Sequence, residues 1–239
     1  MKNNNYKERD PEKVKAMFSK IAPSYDRANR LMCFGLDQYW RKVLAKLATK
    51  DAQEGDVFLD AACGSGDVSL KILEQAKGKK LIGVDFCQEL LEIAKIKCCN
   101  YENASFELAD CSNLAQFKDN TFKAITISFG FRNFQDREKC LSEFHRILKD
   151  KGQLLILEVA RPEKFGAKII SFFMNKICPI LAKIAGSNMQ DYVYLAKTAQ
   201  LFPKESEFKE MLENAKFTNY KRINFLTSLN SVSITKVEK

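Results

Sequence analysis

Histidine and tryptophan occur once each in this chain of 239 residues, and its eight cysteines include no Cys-x-x-Cys pair. One imidazole and unpaired thiols exclude the usual zinc sites, so no metal is expected. The first thirteen residues are polar and charged, without the apolar core of a signal peptide. Cysteines embedded in expected strands and helices read as reduced, buried thiols, which places the expectation in the cytoplasm. Acidic residues are in deficit, 30 against 39 Lys and Arg, for a net charge of +9. Such basicity suits an anionic neighbour, nucleic acid or lipid headgroups, or reflects no more than a lysine-rich composition. Repeats and low-complexity tracts are absent. The length suits a single α/β domain, 1–239, large enough to bury a core.

What is present is an alternation of strand and helix patterns. Apolar runs at 57–62, 80–85, 104–109, 123–129, 153–160, 218–226 and 230–237 read as strands. Helical periodicity falls at 66–77, 88–99, 136–149 and 204–216. Such β-α units build a parallel sheet covered on both faces. No helix separates the last two strands, so Thr227–Asn230 reads as a turn and the sheet ends in an antiparallel hairpin. Residues 12–48 precede the first strand with one apolar face from Val14, Met17, Phe18 and Ile21. Tyr39, Trp40, Val43, Leu44 and Leu47 make another. Residues 1–50 hold twelve Lys and Arg against five acids and read as a helical cover over the sheet. An insertion at 161–203 breaks the rhythm. Within it, residues 165–185 mix Ile, Phe and Met with lysines, yet Asn175, Lys176 and Pro179 interrupt them too often for a bilayer span. Apolar bulk with a lysine fringe suits an interfacial helix or a lid over a greasy ligand; an ordinary amphipathic helix packed on its own domain is the alternative.

The densest information lies in Val57-Phe58-Leu59-Asp60-Ala61-Ala62-Cys63-Gly64-Ser65-Gly66-Asp67. An apolar strand ends in an acid and a Gly64-x-Gly66 turn, with a helix behind it, which is how α/β sheets build nucleotide-sized pockets. A dinucleotide site wants a third glycine where Ser69 stands. Asp67 opens the helix, where its carboxylate would repel a pyrophosphate. The loop therefore favours S-adenosylmethionine, which carries an amine and a sulfonium, over a nicotinamide dinucleotide. Asp85 ends the second strand, where a carboxylate can accept from both ribose hydroxyls. Asp110, beside Cys111, ends the third, near an adenine amino group. Three acid-tipped strands in a row, at Asp60, Asp85 and Asp110, mark one site.

The fourth strand runs into Ser128-Phe129-Gly130-Phe131-Arg132-Asn133-Phe134, which must face a methyl donor held at that sheet edge. An aromatic carbon accepts a methyl group well only when a ring hydroxyl is ionised. A fixed guanidinium can stabilise that phenolate while a base or a water takes the proton. Arg132 suits the first of these roles, with Asn133 as its orienting partner. The single histidine, His145, falls on the flank of a helix whose core face is Leu141, Phe144 and Leu148, and is expected to be inert.

These strings resemble the ubiquinone/menaquinone biosynthesis C-methyltransferase family. The resemblance is carried by Met17–Asp26 with Asn29, Gly35 and Trp40-Arg41, by Leu59–Asp67 with Asp85, and by Asp119–Asn133 followed by His145–Lys149 and Leu155–Glu158. The Ser-Phe-Gly-x-Arg-Asn string is its most specific part, and the likeness weakens after Pro203. It implies a class I methyltransferase: a mostly parallel seven-stranded sheet ending in an antiparallel hairpin, with an N-terminal cover and an insertion after the fifth strand. It implies donor contacts at Ser65, Asp85, Asp110, Cys111 and Ser128, catalysis at Arg132 and Asn133, and a substrate-facing cover at Tyr25 and Asp26. The activity implied is methylation of a prenylated quinol, demethylmenaquinol to menaquinol, with ubiquinol synthesis as a variant. The enzyme would then work peripherally at the inner face of the cytoplasmic membrane. Two departures stand out. The family's Gly-Gly-Thr-Gly-Asp is Ala62-Cys63-Gly64-Ser65-Gly66-Asp67 here, and its C-terminal Gly/His strand is Ser228–Ile234, without a histidine.

Other readings are another small-molecule S-adenosylmethionine methyltransferase, a nicotinamide-dependent oxidoreductase, a nucleic-acid methyltransferase and a non-catalytic scaffold. Ser69, Asp67 and the terminal hairpin weigh against the oxidoreductase. The lack of an Asn-Pro-Pro-Tyr-like string or an RNA-binding module weighs against nucleic acid. A homo-oligomer is compatible with the sequence.

Overall fold

The computed structural model describes residues 10–159, 172–186, 202–225 and 232–239. The apolar runs become β1 (Val57–Ala61), β2 (Lys80–Asp85), β3 (Ala104–Leu108), β4 (Phe122–Ser128), β5 (Leu148–Val159), β6 (Thr218–Phe225) and β7 (Val232–Glu238). They join one sheet in the order β3-β2-β1-β4-β5-β7-β6. Only β7 is reversed, running antiparallel between β5 and β6. That is the expected sheet with its terminal hairpin. The expected turn at Thr227–Asn230 lies outside the described residues. Strand order reverses between β1 and β4, which opens a crevice at their carboxyl ends.

The helices are α1 (Pro11–Ile21), α2 (Tyr25–Met32), α3 (Leu36–Thr49), α4 (Asp67–Gln75), α5 (Gln88–Lys97), α6 (Arg137–Ile147), α7 (Cys178–Ile184) and α8 (Glu205–Asn214). Local chemistry sets their ends. Asp10 caps α1 by accepting the Glu12 amide, with Pro11 in the first turn, where its missing N–H costs nothing. Asp136 caps α6 by accepting the Lys139 amide. The α6 helix stops at Ile147, and Leu148, expected to be helical, already pairs with Phe122. Leu148 is fully buried in extended backbone, so strand pairing wins over continuation of the helix.

One side of the sheet buries Phe122, Phe144 and Phe208 beneath α6 and α8. The other buries Trp40, Leu44, Phe58 and Ile72 beneath α3 and α4. Tyr39, expected on that apolar face, is exposed and meets Phe225 only edge-on, being one residue round the helix from Trp40. A third cluster packs Val14, Phe18 and Ile21 of α1 against Cys87 and Leu90 at the start of α5 and Ala182 of α7. This cluster holds the N-terminal cover over the crevice.

Of the insertion expected at 161–203, the described part is 172–186 and the last two residues. Its Phe173–Ile177 is a π-helical turn leading into α7. Pro179 has no N–H for the carbonyl of Asn175 and its ring would strike that carbonyl in a regular helix, which accounts for the widened turn. Among the described residues no helix is long and apolar enough to cross a membrane.

Candidate active site

The acid-tipped strands converge as expected, but the acids do different work. Asp60 is buried and accepts from Ser69 Oγ at 2.7 Å and Thr126 Oγ1 at 2.9 Å. It ties α4 and β4 to β1 from beneath the loop. Ser69, where a dinucleotide fold keeps glycine, is needed for that bond. Burial pushes the Asp60 carboxyl up to about 6, against the hydrogen bonds from Ser69 and Thr126. The unfolded value is near 3.9. Because the folded value is the higher one, stability from this group is present below about pH 4 and lost as pH rises through 6. The full shift corresponds to about 3 kcal/mol. Asp60→Asn should flatten the pH dependence of the urea midpoint between pH 4 and 6; an unchanged slope would refute this assignment.

Asp85 faces the crevice. Its Oδ2 accepts the Gly64 amide at 2.8 Å and its Oδ1 the Cys87 amide at 2.9 Å. The Phe86 amide bears on the same carboxylate, so three backbone donors fix its plane. Burial raises its pKa to about 6, opposed by those amides. Gly64 and Gly66 both adopt left-handed backbone, and a Cβ on Gly66 would lie 2.9 Å from that of Ala94 in α5. The turn thus draws α4 close to α5, where only glycine fits. A Cβ on Gly64 would reach 3.9 Å from the ring of Tyr25, which lies over the loop.

A cavity of about 110 Å³ lies at the tips of β1 to β3, lined by Asp85, Asp110, Cys111, Ser112 and Asn133 among others. Asp110 Oδ1 accepts the Ser112 amide at 2.8 Å. Burial holds the Cys111 thiol well above its usual pKa. A protonated thiol is a poor nucleophile. A larger cleft, about 590 Å³, lies between α6 and α8 and includes His145 and Arg146. It is remote from the strand tips, and His145 packs against Phe217 on that flank.

Asp67 overturns part of the loop argument. Its carboxylate does not stand free at the helix start but is enclosed by Arg41 and Lys97, with Arg30 at 3.6 Å. Gln38 donates to it at 3.1 Å. Burial works to raise its pKa, yet Arg41 and then Lys97 hold it below the usual carboxylate range. Three cations around one carboxylate remove the repulsion that was to exclude a pyrophosphate. The choice of donor therefore rests on the sheet and on the relatives below.

The same cations lock the cover down. Asp26 of α2 accepts from Ser65 Oγ at 2.5 Å and from Lys97 Nζ at 2.8 Å. Asp26 and Ser65 thus bind each other at the Gly64–Gly66 loop, which closes the cover onto it. Arg41, fully enclosed, bonds Asp37 and Asp67 and reaches Ser128 Oγ at 3.4 Å. Its guanidinium also lies 5.8 Å from the Phe129 ring. Ser128 is held by Arg41 at the end of β4. In the sequence Arg41 stands out only as part of the family likeness, and Lys97 not at all.

Arg132 lies beneath this cover. Burial raises the phenol pKa of Tyr25 while the charges of Arg41 and Arg132 pull it down, so the three groups share one enclosure. Arg132 Nη1 donates to Glu158 Oε1 at 2.6 Å, and its backbone N–H to Glu158 Oε2 at 3.2 Å. Glu158 is 2% exposed and tips β5, an acid that the run Leu155-Ile156-Leu157-Glu158 could have signalled. Among the described residues, three buried side-chain polar atoms lack a partner: Asp37 Oδ1, Arg132 Nε and Asn133 Oδ1. Two belong to the Arg-Asn pair. Buried polar groups are rarely left unpaired unless something else pairs with them. The backbone is also forced here: Ala62 and Phe129, the residues just after β1 and β4, have φ of 51° and 56°. Such strain gathers at functional sites.

A model of the ubiE/COQ5 methyltransferase family matches residues 5–234. A ubiquinone/menaquinone biosynthesis C-methyltransferase of Geotalea uraniireducens is 36% identical over 93% of this chain and 95% of its own. A demethylmenaquinone methyltransferase of Thermus thermophilus is 38% identical over 84% of this chain and 91% of its own. Among solved structures, the plantazolicin methyltransferase BamL, in complex with a triazolic desmethylPZN analogue and SAH, aligns with a TM-score of 0.72 at 14% identity. That alignment covers 98% of this chain and 96% of BamL. A SAM-dependent methyltransferase from Aquifex aeolicus aligns with a TM-score of 0.60 at 18% identity, over 96% and 98% of the two chains. The fold is that of the class I methyltransferases.

Proposed function

Because the chain belongs to the ubiE/COQ5 methyltransferase family, we propose that it methylates a ring carbon of a prenylated quinol with S-adenosylmethionine. The favoured conversion is demethylmenaquinol to menaquinol, which suits the Thermus relative's name, demethylmenaquinone methyltransferase. The observation that carries the reading is that Nε of Arg132 and Oδ1 of the next residue, Asn133, are both buried without a partner.

The residues at the strand tips fit the donor. Asp85 offers its amide-fixed carboxylate to a ribose hydroxyl, Asp110 an acceptor to an adenine amine, and the Gly64 turn a surface without side chains. Ser65, Gly66, Cys111 and Ser128 frame it, and Asp60 acts from below. When bound, the donor supplies an electrophilic methyl group on a sulfonium sulfur. Loss of the hydroxyl proton to water leaves a phenolate whose charge raises electron density at the neighbouring ring carbon. Arg132 Nε donates a hydrogen bond to that oxygen and stabilises the anion, and the ring proton displaced by the methyl group also leaves to water. Asn133 Oδ1 accepts from a ligand hydroxyl and fixes its angle. Tyr25 closes the enclosure and excludes water. The protein works from the aqueous side, meeting the polyprenyl tail at a membrane surface.

The test is methylation of a demethylmenaquinol analogue under reducing conditions, with ring-methylated product identified by mass spectrometry. Binding of NADH but not S-adenosylhomocysteine in calorimetry would overturn the reading in favour of an oxidoreductase. Donor affinity should also depend on pH. Asp85 binds ribose hydroxyls best as a carboxylate, so affinity should fall as pH drops through about 6, by up to tenfold per unit. Asp85→Asn should bind the donor weakly and without that dependence. A wild-type Kd constant from pH 5 to 8 would remove Asp85 from the site.

A further inference from the structure

The outward stripe of the helical segment 172–186 carries the wrong residues for a face bathed in water. Phe172, Ile180 and Ile184 are 62%, 53% and 70% exposed, and between them the exposed positions are Lys176 and Lys183. Their spacing of 4, 4, 3 and 1 places all five on one side. The inward side, through Cys178 and Ala182, already packs against its own domain. The outward apolar groups are therefore not there to fill the core.

A second element extends the patch. The turn joining α2 to α3 holds Phe34 at φ 50°, a backbone state unfavourable for a bulky residue, with the ring 72% exposed. That ring lies 6.0 Å from Phe173, so turn and helix form one edge. Strain spent on exposing an aromatic ring has no stabilising return in water. Arg27 flanks the turn on α2, as does the half-exposed Arg30, one face of which pairs with Asp67, and neither 27–36 nor 172–186 contains an acid. The edge is apolar at its tip and purely cationic at its rim. An anionic lipid surface complements that arrangement, apolar side chains entering the acyl boundary and lysine stems keeping their ammonium groups among the headgroups.

We propose that the Phe34 turn and the outward stripe Phe172–Ile184 form a docking edge for an anionic lipid bilayer. The edge lies at the far end of α2 from Tyr25, eight residues or about 12 Å from the enclosure. A tail held in the bilayer could thus present its ring beneath the cover. That last step rests on the quinol reading; docking itself does not.

The test uses the full chain without substrate or donor, sedimented with vesicles of phosphatidylcholine containing phosphatidylglycerol, or of phosphatidylcholine alone. Partitioning onto the anionic vesicles should exceed that onto neutral ones at least tenfold. A cationic side chain near the surface contributes about fivefold, so Lys176→Glu with Lys183→Glu should lower it at least 25-fold. Phe34→Ser with Ile184→Ser should lower it at least tenfold. Donor affinity should stay within twofold in all variants, showing that the fold is retained. No binding by the wild type, equal binding to both vesicle types, or undiminished binding by both variant pairs would overturn the proposal. So would a wild-type dimer in sedimentation velocity that the Phe34/Ile184 variant dissociates, since the patch would then be a self-association face. Vesicle binding without quinol methylation would sink the functional reading and leave the edge standing.

Discussion

Arg132→Ala is expected to lower ring methylation at least a hundredfold while donor affinity stays within about threefold. Removing one preorganised donor from a developing oxyanion costs roughly 10² to 10³ in rate. The surroundings of Arg132 suit it to that role. Glu158 takes its Nη1 and backbone N–H, which fixes the guanidinium plane and leaves Nε without an acceptor. Deleting Arg132 also strands the buried Glu158 charge, which can cost about 3–5 kcal/mol of stability. Arg132→Lys separates the two effects. It keeps a positive charge for Glu158, yet an ammonium cannot reproduce the planar fork that serves carboxylate and ring oxygen together. Stability should largely return while the rate stays low, measured by single-turnover methylation beside urea unfolding. Near wild-type turnover in either variant would remove Arg132 from the chemistry.

The second large effect is expected at Arg41, through structure more than rate. Its guanidinium is the shared partner of Asp37 and Asp67, both buried. Arg41→Met fills a similar volume but leaves two carboxylates short of their cation. Asp37 already has one unpaired oxygen. A loss of about 3–5 kcal/mol follows from breaking a buried ionic cluster on one side. Lys97 and Arg30 still hold Asp67, so the loop should survive better than α3. Donor affinity should therefore fall with the loosened cover. The double variant Arg41→Met with Asp37→Leu should recover much of the stability, because the unpaired charge at Asp37 leaves with its partner. Urea unfolding of the three variants checks this, and an Arg41→Met protein as stable as the wild type would refute the cluster's role.

Both effects arise in residues whose importance differs in visibility. Arg132 stands in a short, specific string at the end of an apolar run, so its place at the sheet edge follows from strand polarity alone. Arg41 sits on an amphipathic helix among twelve basic residues of the first fifty, and nothing in its local periodicity separates it from a solvated arginine. Glu158 lies between these cases. Its position after Leu155-Ile156-Leu157 marks a strand tip, but only the fold brings it to Arg132, 26 residues away in the chain.

The sequence by itself determined the seven strands, the reversed β7, the acids at the tips of β1 and β2, and the Arg-Asn loop, because these depend on short-range periodicity and on which end of a strand faces the crevice. The tertiary structure decided which charges meet. Asp67, read alone as an open carboxylate, becomes the centre of a cationic cage, since Arg41 and Lys97 approach from helices 26 and 30 residues distant. Asp26 likewise closes on Ser65 and Lys97 across 39 and 71 residues. Periodicity assigns a residue to a face, whereas the state of a buried charge depends on every group folded against it.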